Sequence, residues 1–146
     1  MQDILTCAMG LDVHRDIIVA CLVKGAVDAE PEAETRTFST LIPEMQKLRD
    51  WVIESECRNI AMESTGIYWQ PIYEMLESCF DGEISILVVN ARHMKNVPGR
   101  KTDMKDAQWI ATLLRAGLLK GSFIPDKAFR ELRHLTRYRK SVVHDI

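Results

Sequence analysis

Apolar and polar positions change their period along the chain, and the changes mark out nine elements. Residues Cys7 to Val13 form a short apolar run and Asp16 to Val23 a β-branched one, with His14-Arg15 between them as a tight turn, so the pair reads as a hairpin. A polar stretch from Lys24 to Pro31 makes a loop before a third strand near Glu34 to Ser39. Leu41, Met45, Leu48, Val52 and Ile53 then recur at helical spacing, with Thr40 as the expected cap and Pro43 tolerable in the first turn.

The second half alternates strand and helix. Asn59 to Met62 is a fourth strand ending directly on Glu63, and Ser64-Thr65-Gly66 supplies turn and cap chemistry for a short helix carrying Ile67, Ile72, Met75 and Leu76. Glu83 to Val89 is a continuous apolar run, as expected for a buried parallel strand. A polar, basic loop from Asn90 to Lys101 precedes a helix predicted over Asp103 to Leu114, capped by Thr102 and ended by Gly117. A last helix is expected from Pro125-Asp126 onward, with Arg130, Arg133, Arg137 and Lys140 on one face and Phe129, Leu132 and Leu135 on another. The order β-β-β-α-β-α-β-α-α predicts an α/β fold of RNase H-like type, a mixed five-stranded sheet flanked by helices, with a C-terminal basic helix.

At 146 residues and 47% hydrophobic content the chain suits one domain with a closed core. No apolar run approaches the roughly 18 residues needed to span a bilayer, and no leader pattern opens the chain, so the reading is cytoplasmic with no membrane partner. Cys7, Cys21, Cys57 and Cys79 lie far apart without metal-ligand spacing and read as reduced, packed thiols. The net charge of −2 hides a polarity: residues 1 to 90 hold six Lys and Arg against sixteen Asp and Glu, and residues 91 to 146 hold thirteen against five. A basic block of that kind suits a polyanionic partner, or simply a solvated basic face.

Four carboxylates carry the candidate chemistry. Asp12 interrupts the apolar strand Met9-Gly10-Leu11-Asp12-Val13, where a charge must be exposed, paired or bound to metal, and Gly10 leaves room for a close neighbour. Glu63 follows Ile60-Ala61-Met62 at a strand's carboxyl end, and in a parallel arrangement of neighbouring strands the two acids can lie side by side. Asp103 and Asp106, three apart at a helix start, would share a face; they either charge that first turn or complete a set of hard oxygen ligands for Mg²⁺, with Mn²⁺ as the substitute. Metal ions so held stabilise the attacking and leaving oxygens of a phosphodiester. Arg92, Lys95, Arg100, Lys101 and Lys105 flank the aspartate pair and can contact phosphates, as can Arg130, Arg133 and Arg137.

Gly10-Leu11-Asp12-Val13-His14, Met62-Glu63-Ser64-Thr65-Gly66-Ile67-Tyr68-Trp69, Val89-Asn90-Ala91-Arg92 and Lys101-Thr102-Asp103-Met104-Lys105-Asp106-Ala107 together resemble the DEDD-type transposases with a RuvC-like domain, the one-ten family of insertion sequences. The resemblance implies that Asp12, Glu63, Asp103 and Asp106 are the catalytic, metal-holding tetrad of a DNA transposase. It implies a RuvC-like catalytic domain over 1–121 and the start of a helical connecting segment over 122–146. In that family a second domain supplies a serine nucleophile that joins DNA covalently, some members are guided by a structured RNA, and the full-length protein is expected to be a homo-oligomer. That serine is not assigned to a position here.

Ser64 and Thr65 read as caps rather than nucleophiles, and His14 as an exposed turn residue or a metal or phosphate contact. Tyr68 and Trp69 either stack on a base or start a partly buried helix. Three other functions fit parts of the pattern. A free-standing Holliday-junction resolvase would use the same ligands. An actin-like or sugar-kinase ATPase shares the Gly-x-Asp strand but expects Gly-rich phosphate loops that are missing from the sequence. A non-catalytic module would use the carboxylates structurally, and metal titration separates it from the enzymes.

Overall fold

The computed structural model describes residues 5–26, 30–64, 66–89 and 104–119. Strands β1 (Cys7–Val13), β2 (Ile17–Lys24) and β3 (Glu32–Ser39) are followed by helix α1 (Ile42–Glu54), strand β4 (Asn59–Ser64), helix α2 (Trp69–Leu76), a tight turn at Cys79–Gly82, strand β5 (Ser85–Val89) and helix α3 (Asp106–Arg115). The five strands form one sheet in the order β3-β2-β1-β4-β5. β1 and β2, and β2 and β3, pair antiparallel, whereas β4 lies parallel to both β1 and β5. The mixed sheet expected from the element order is therefore present.

Side chains alternate across the pleat, so each strand feeds two cores. Met9, Leu11 and Val13 of β1, with Ile60 and Met62 of β4, pack against Met45, Leu48, Trp51 and Val52 of α1 and Ile72 and Leu76 of α2. Ala8 and Ala61 face the other way, against Trp109, Ile110, Leu113 and Leu114 of α3. Helices thus cover both faces. Among the described residues no helix is long and apolar enough to cross a membrane. Cys21, Cys57 and Cys79 are buried, Cys7 is half-buried, and all four are free thiols.

Several boundaries differ from the pattern-based reading, each for a local reason. Thr40 does not cap α1: its hydroxyl donates to the Arg15 carbonyl at 2.9 Å, and Leu41 holds the cap position with an extended backbone and no side-chain cap. Leu41 and Ile53 are exposed, and Trp51 takes the core position instead. β4 continues through Glu63 and Ser64, because its pairing with β1 runs on to Val13 and Ser64. Ser64 is therefore a strand residue rather than a cap, and α2 starts at Trp69 without a side-chain cap, leaving Ile67 exposed. β5 starts at Ser85, pairs among the described residues with β4 alone, and is buried only at Val88 and Val89.

The largest change concerns α3. Lys105 has an extended backbone (φ −69°, ψ 155°) and the helix begins at Asp106, later in the chain than the expected start at Asp103. Thr102, Asp103, the loop residues Asn90 to Lys101 and the expected final helix lie outside the described residues. At its other end the helix stops as expected: Gly117 takes φ +73°, and the Leu118 amide donates to the Leu113 carbonyl at 3.0 Å.

Candidate metal and nucleic-acid site

One row of register partners crosses the sheet at the carboxyl ends of β1 and β4. It reads Thr37, Val19, Asp12, Glu63, Val89. Partners in register point to the same face, so Asp12 and Glu63 stand side by side with valines on both outer flanks. Two like charges placed directly opposite each other on neighbouring strands repel. The Asp12 side chain is only 16% exposed, which strengthens that repulsion by limiting the water around it.

The face they share is the one that α3 covers. Asp12 is two residues from Gly10, and Glu63 two from Ala61, which packs on α3. A side chain on Gly10 would overlap the Ala107 carbonyl oxygen and come within 2.6 Å of the Ala111 amide nitrogen. The missing Cβ thus lets the helix backbone rest on β1. The far end of the helix is fixed near the start of β1, where Arg115 donates from Nε to the Leu5 carbonyl at 2.9 Å. α3 therefore runs antiparallel to β1, and its first residue, Asp106, lies at the carboxyl end of the strand toward Asp12. Asp106 and the adjoining Lys105 are both exposed.

His14 completes the near surroundings. Its Nε2 lies 3.1 Å from Asp12 Oδ2, as an ion pair when the imidazole is protonated and a hydrogen bond otherwise. His14 is an exposed residue between β1 and β2, as the sequence predicts, and it also touches the carboxylate. The available signal was its position two residues beyond Asp12, on the same side of the chain.

Asp12, Glu63 and Asp106 are hard oxygen donors, and Mg²⁺ commonly takes only one or two carboxylates, completing its shell with water and substrate phosphates. The donor set fits such an ion. Among the described residues no group of three His, Cys, Asp or Glu forms a ready-made metal cage. Asp103, Arg92, Lys95, Arg100, Lys101, Arg130, Arg133 and Arg137 fall outside the described residues, as does the expected domain boundary near residue 121.

A cleft of about 370 Å³ opens at the same end of the sheet but on the α1 and α2 side, lined in part by Arg15, Thr40, Ile67, Tyr68, Gln70 and Glu74. It adjoins a shallower one at the β1–β2 turn through Arg15 and Tyr68, and His14 lines the latter. Of the two aromatics singled out in the sequence, Trp69 packs edge-on against Tyr73 at 5.5 Å, while Tyr68 is 40% exposed.

Known proteins agree with this architecture. The profile of a transposase family, the DEDD transposases of IS110 type, matches residues 9–146. No curated protein sequence matches the chain. Two solved structures, one of Thermus thermophilus RuvC and one of T. thermophilus RuvC in complex with Holliday junction substrate, superpose with TM-scores of 0.51 and 0.52 at 12% and 13% identity. Each alignment covers 80% of this chain and 99% of the other. At that identity the likeness is one of fold, and it identifies the sheet as RuvC-like.

Proposed function

Because the chain belongs to the IS110 family of DEDD-type transposases, we propose that it is the metal-dependent catalytic domain of a DNA transposase, with Asp12, Glu63, Asp103 and Asp106 as the catalytic carboxylates. The observation that carries this reading is the register pairing of Asp12 with Glu63 beneath the start of α3. Two acids side by side on neighbouring strands repel, and a bound cation would offset that repulsion.

A divalent ion bound there supplies charge stabilisation for the attacking and leaving oxygens of a phosphodiester. Asp12 and Glu63 would hold it, and Asp106, brought in by α3, would add a further oxygen ligand. His14 restrains Asp12 by its contact to Oδ2, keeping that carboxylate's orientation before substrate arrives. Lys105, with Arg92, Lys95, Arg100 and Lys101, would bind phosphates on either side of the reacting one. Arg130, Arg133 and Arg137 would extend that contact along the backbone. Rejoining of strands would use a serine from a second domain, as the family resemblance implies, with a guide RNA and homo-oligomer as further partners of the full protein.

Calorimetric titration with Mg²⁺ or Mn²⁺ tests the site without requiring turnover. Asp12→Asn and Glu63→Gln should each weaken binding at least about tenfold, because each removes one of the few charged ligands. Binding unchanged in both variants would remove the site. The alternative, a free-standing structure-specific endonuclease, is favoured by the match to essentially all of a RuvC chain whose structure includes a Holliday junction substrate. Cleavage of a four-way junction by this chain alone, with linear duplex left intact, would select it.

A further inference from the structure

The cleft beside Tyr68 has no role in the metal chemistry, yet it is joined to the carboxylates through the β1–β2 turn. His14 reaches Asp12 from one side of that turn, and Arg15 lines the cleft from the other. A nucleic-acid strand held at the carboxylates and crossing this end of the sheet would bring a neighbouring nucleotide to the cleft.

Its chemistry suits a base. Tyr68 offers an exposed ring, and Ile67, 69% exposed, an aliphatic surface beside it. Apolar and aromatic side chains with a few polar groups are the usual lining of a small-ligand cleft. Gln70 and Glu74 lie four apart on α2, hence on one helix face, and both line the cleft. A carboxylate accepts hydrogen bonds only, and an amide both accepts and donates. Together they match an exocyclic amine with an adjacent ring acceptor, the edge of adenine or cytosine. Glu74 also repels phosphate from that end. Arg15 sits at the cleft in an exposed contact with Asp16 at 3.1 Å, which offsets part of its charge.

We propose that this cleft is a subsite for one unpaired, amine-bearing nucleobase, adenine or cytosine, stacked on Tyr68 and read by Gln70 and Glu74. The proposal rests on the reading of the chain as a DNA-acting enzyme and deepens it. Stacking on an aromatic ring tolerates every base, and the Glu74 acceptor with the Gln70 amide donor adds the preference.

The test measures anisotropy of labelled forked duplexes, without divalent metal so that no cleavage intervenes. The first unpaired position carries adenine, cytosine, thymine or an abasic sugar. The wild type should bind the adenine and cytosine forks about tenfold more tightly than the abasic fork, with thymine between them. Tyr68→Ala should abolish the advantage over the abasic fork, and Tyr68→Phe should retain it. Glu74→Gln should narrow the preference over thymine while leaving the abasic fork unaffected. Equal binding of all four forks by the wild type, or an equal loss on all four in Tyr68→Ala, would overturn the subsite while leaving the DNA-acting reading in place. Failure to bind any fork would overturn both.

Discussion

Gly10 shows how one absent methyl group sets the geometry of the site. Its α-carbon faces the backbone of α3, and an added Cβ would meet Ala107 and Ala111 backbone atoms rather than a flexible side-chain tip. Relief must therefore come from moving the helix, and the helix carries Asp106. Gly10→Ala is expected to destabilise the fold by about 1–3 kcal/mol, the usual range for overpacking, and to weaken Mn²⁺ binding as well. A folded variant with unchanged metal affinity in calorimetry would show that the contact does not position Asp106. At the opposite end of β1, the Cys7 thiol is lowered to about 7, chiefly by a hydrogen bond from Cys57, with burial opposing and Lys24 assisting. Burial pushes Cys21 and Cys79 up, and the contact with Cys7 together with burial pushes Cys57 up. Since the thiolate is the reactive form, iodoacetamide should label Cys7 first, with a rate half-maximal near pH 7. Equal labelling of all four thiols at that pH, read by peptide mass spectrometry, would contradict the assignment.

Among the elements, α3 depends on an unusual anchor. Arg115 is 1% exposed, and its guanidinium donates to the carbonyls of Leu5, Gly25 and Ala26 at 2.9, 3.0 and 2.7 Å. The cation thus ties the helix end to the start of β1 and to the β2–β3 connection. Arg115→Met keeps apolar volume but strips partners from three carbonyls, so a loss of about 3 kcal/mol or more is expected in urea unfolding. A change below about 1 kcal/mol would mean that water replaces the guanidinium. The same helix shows where the sequence was readable and where it was not. Asp12 and Glu63 could be selected because each breaks an apolar strand, and β1, β2 and β4 could be located because their apolar runs are bounded by turns. Thr102-Asp103 resembles cap chemistry and so predicts a start at Asp103, whereas α3 begins at Asp106. What seats the helix on β1 is tertiary: the backbone at Ala107 and Ala111 lies over Gly10, a fit invisible to local propensity. Thr40 likewise has the chemistry of a cap, but its hydroxyl is taken by a carbonyl 25 residues away. Register itself is not written in any single segment; that Asp12 meets Glu63 emerges only when β4 pairs with β1.

At the scale of the whole molecule, charge is divided along the chain, with sixteen acids and six bases before residue 91 and thirteen bases and five acids from there on. The acidic part contains Asp12 and Glu63, proposed to hold a cation; the basic part contains the residues proposed to hold phosphates. A DNA strand placed over the carboxylates without basic neighbours would be repelled, so affinity should come from the second part. Neutralising phosphates releases condensed counterions, and each contact contributes about −0.9 to the slope of log K against log salt for duplex DNA. Binding of a duplex should therefore fall at least about tenfold between 50 and 200 mM salt, which requires only two or three such contacts. Replacing Arg100 and Lys101 together by alanine should weaken binding on every sequence alike and make the slope shallower by about two units. By contrast, Arg36→Ala, a basic residue on β3 stacked over Trp51 at 4.3 Å, should leave the slope unchanged. Salt-insensitive binding, or equal slopes in the double variant and the wild type, would show that the basic block is only a solvated face.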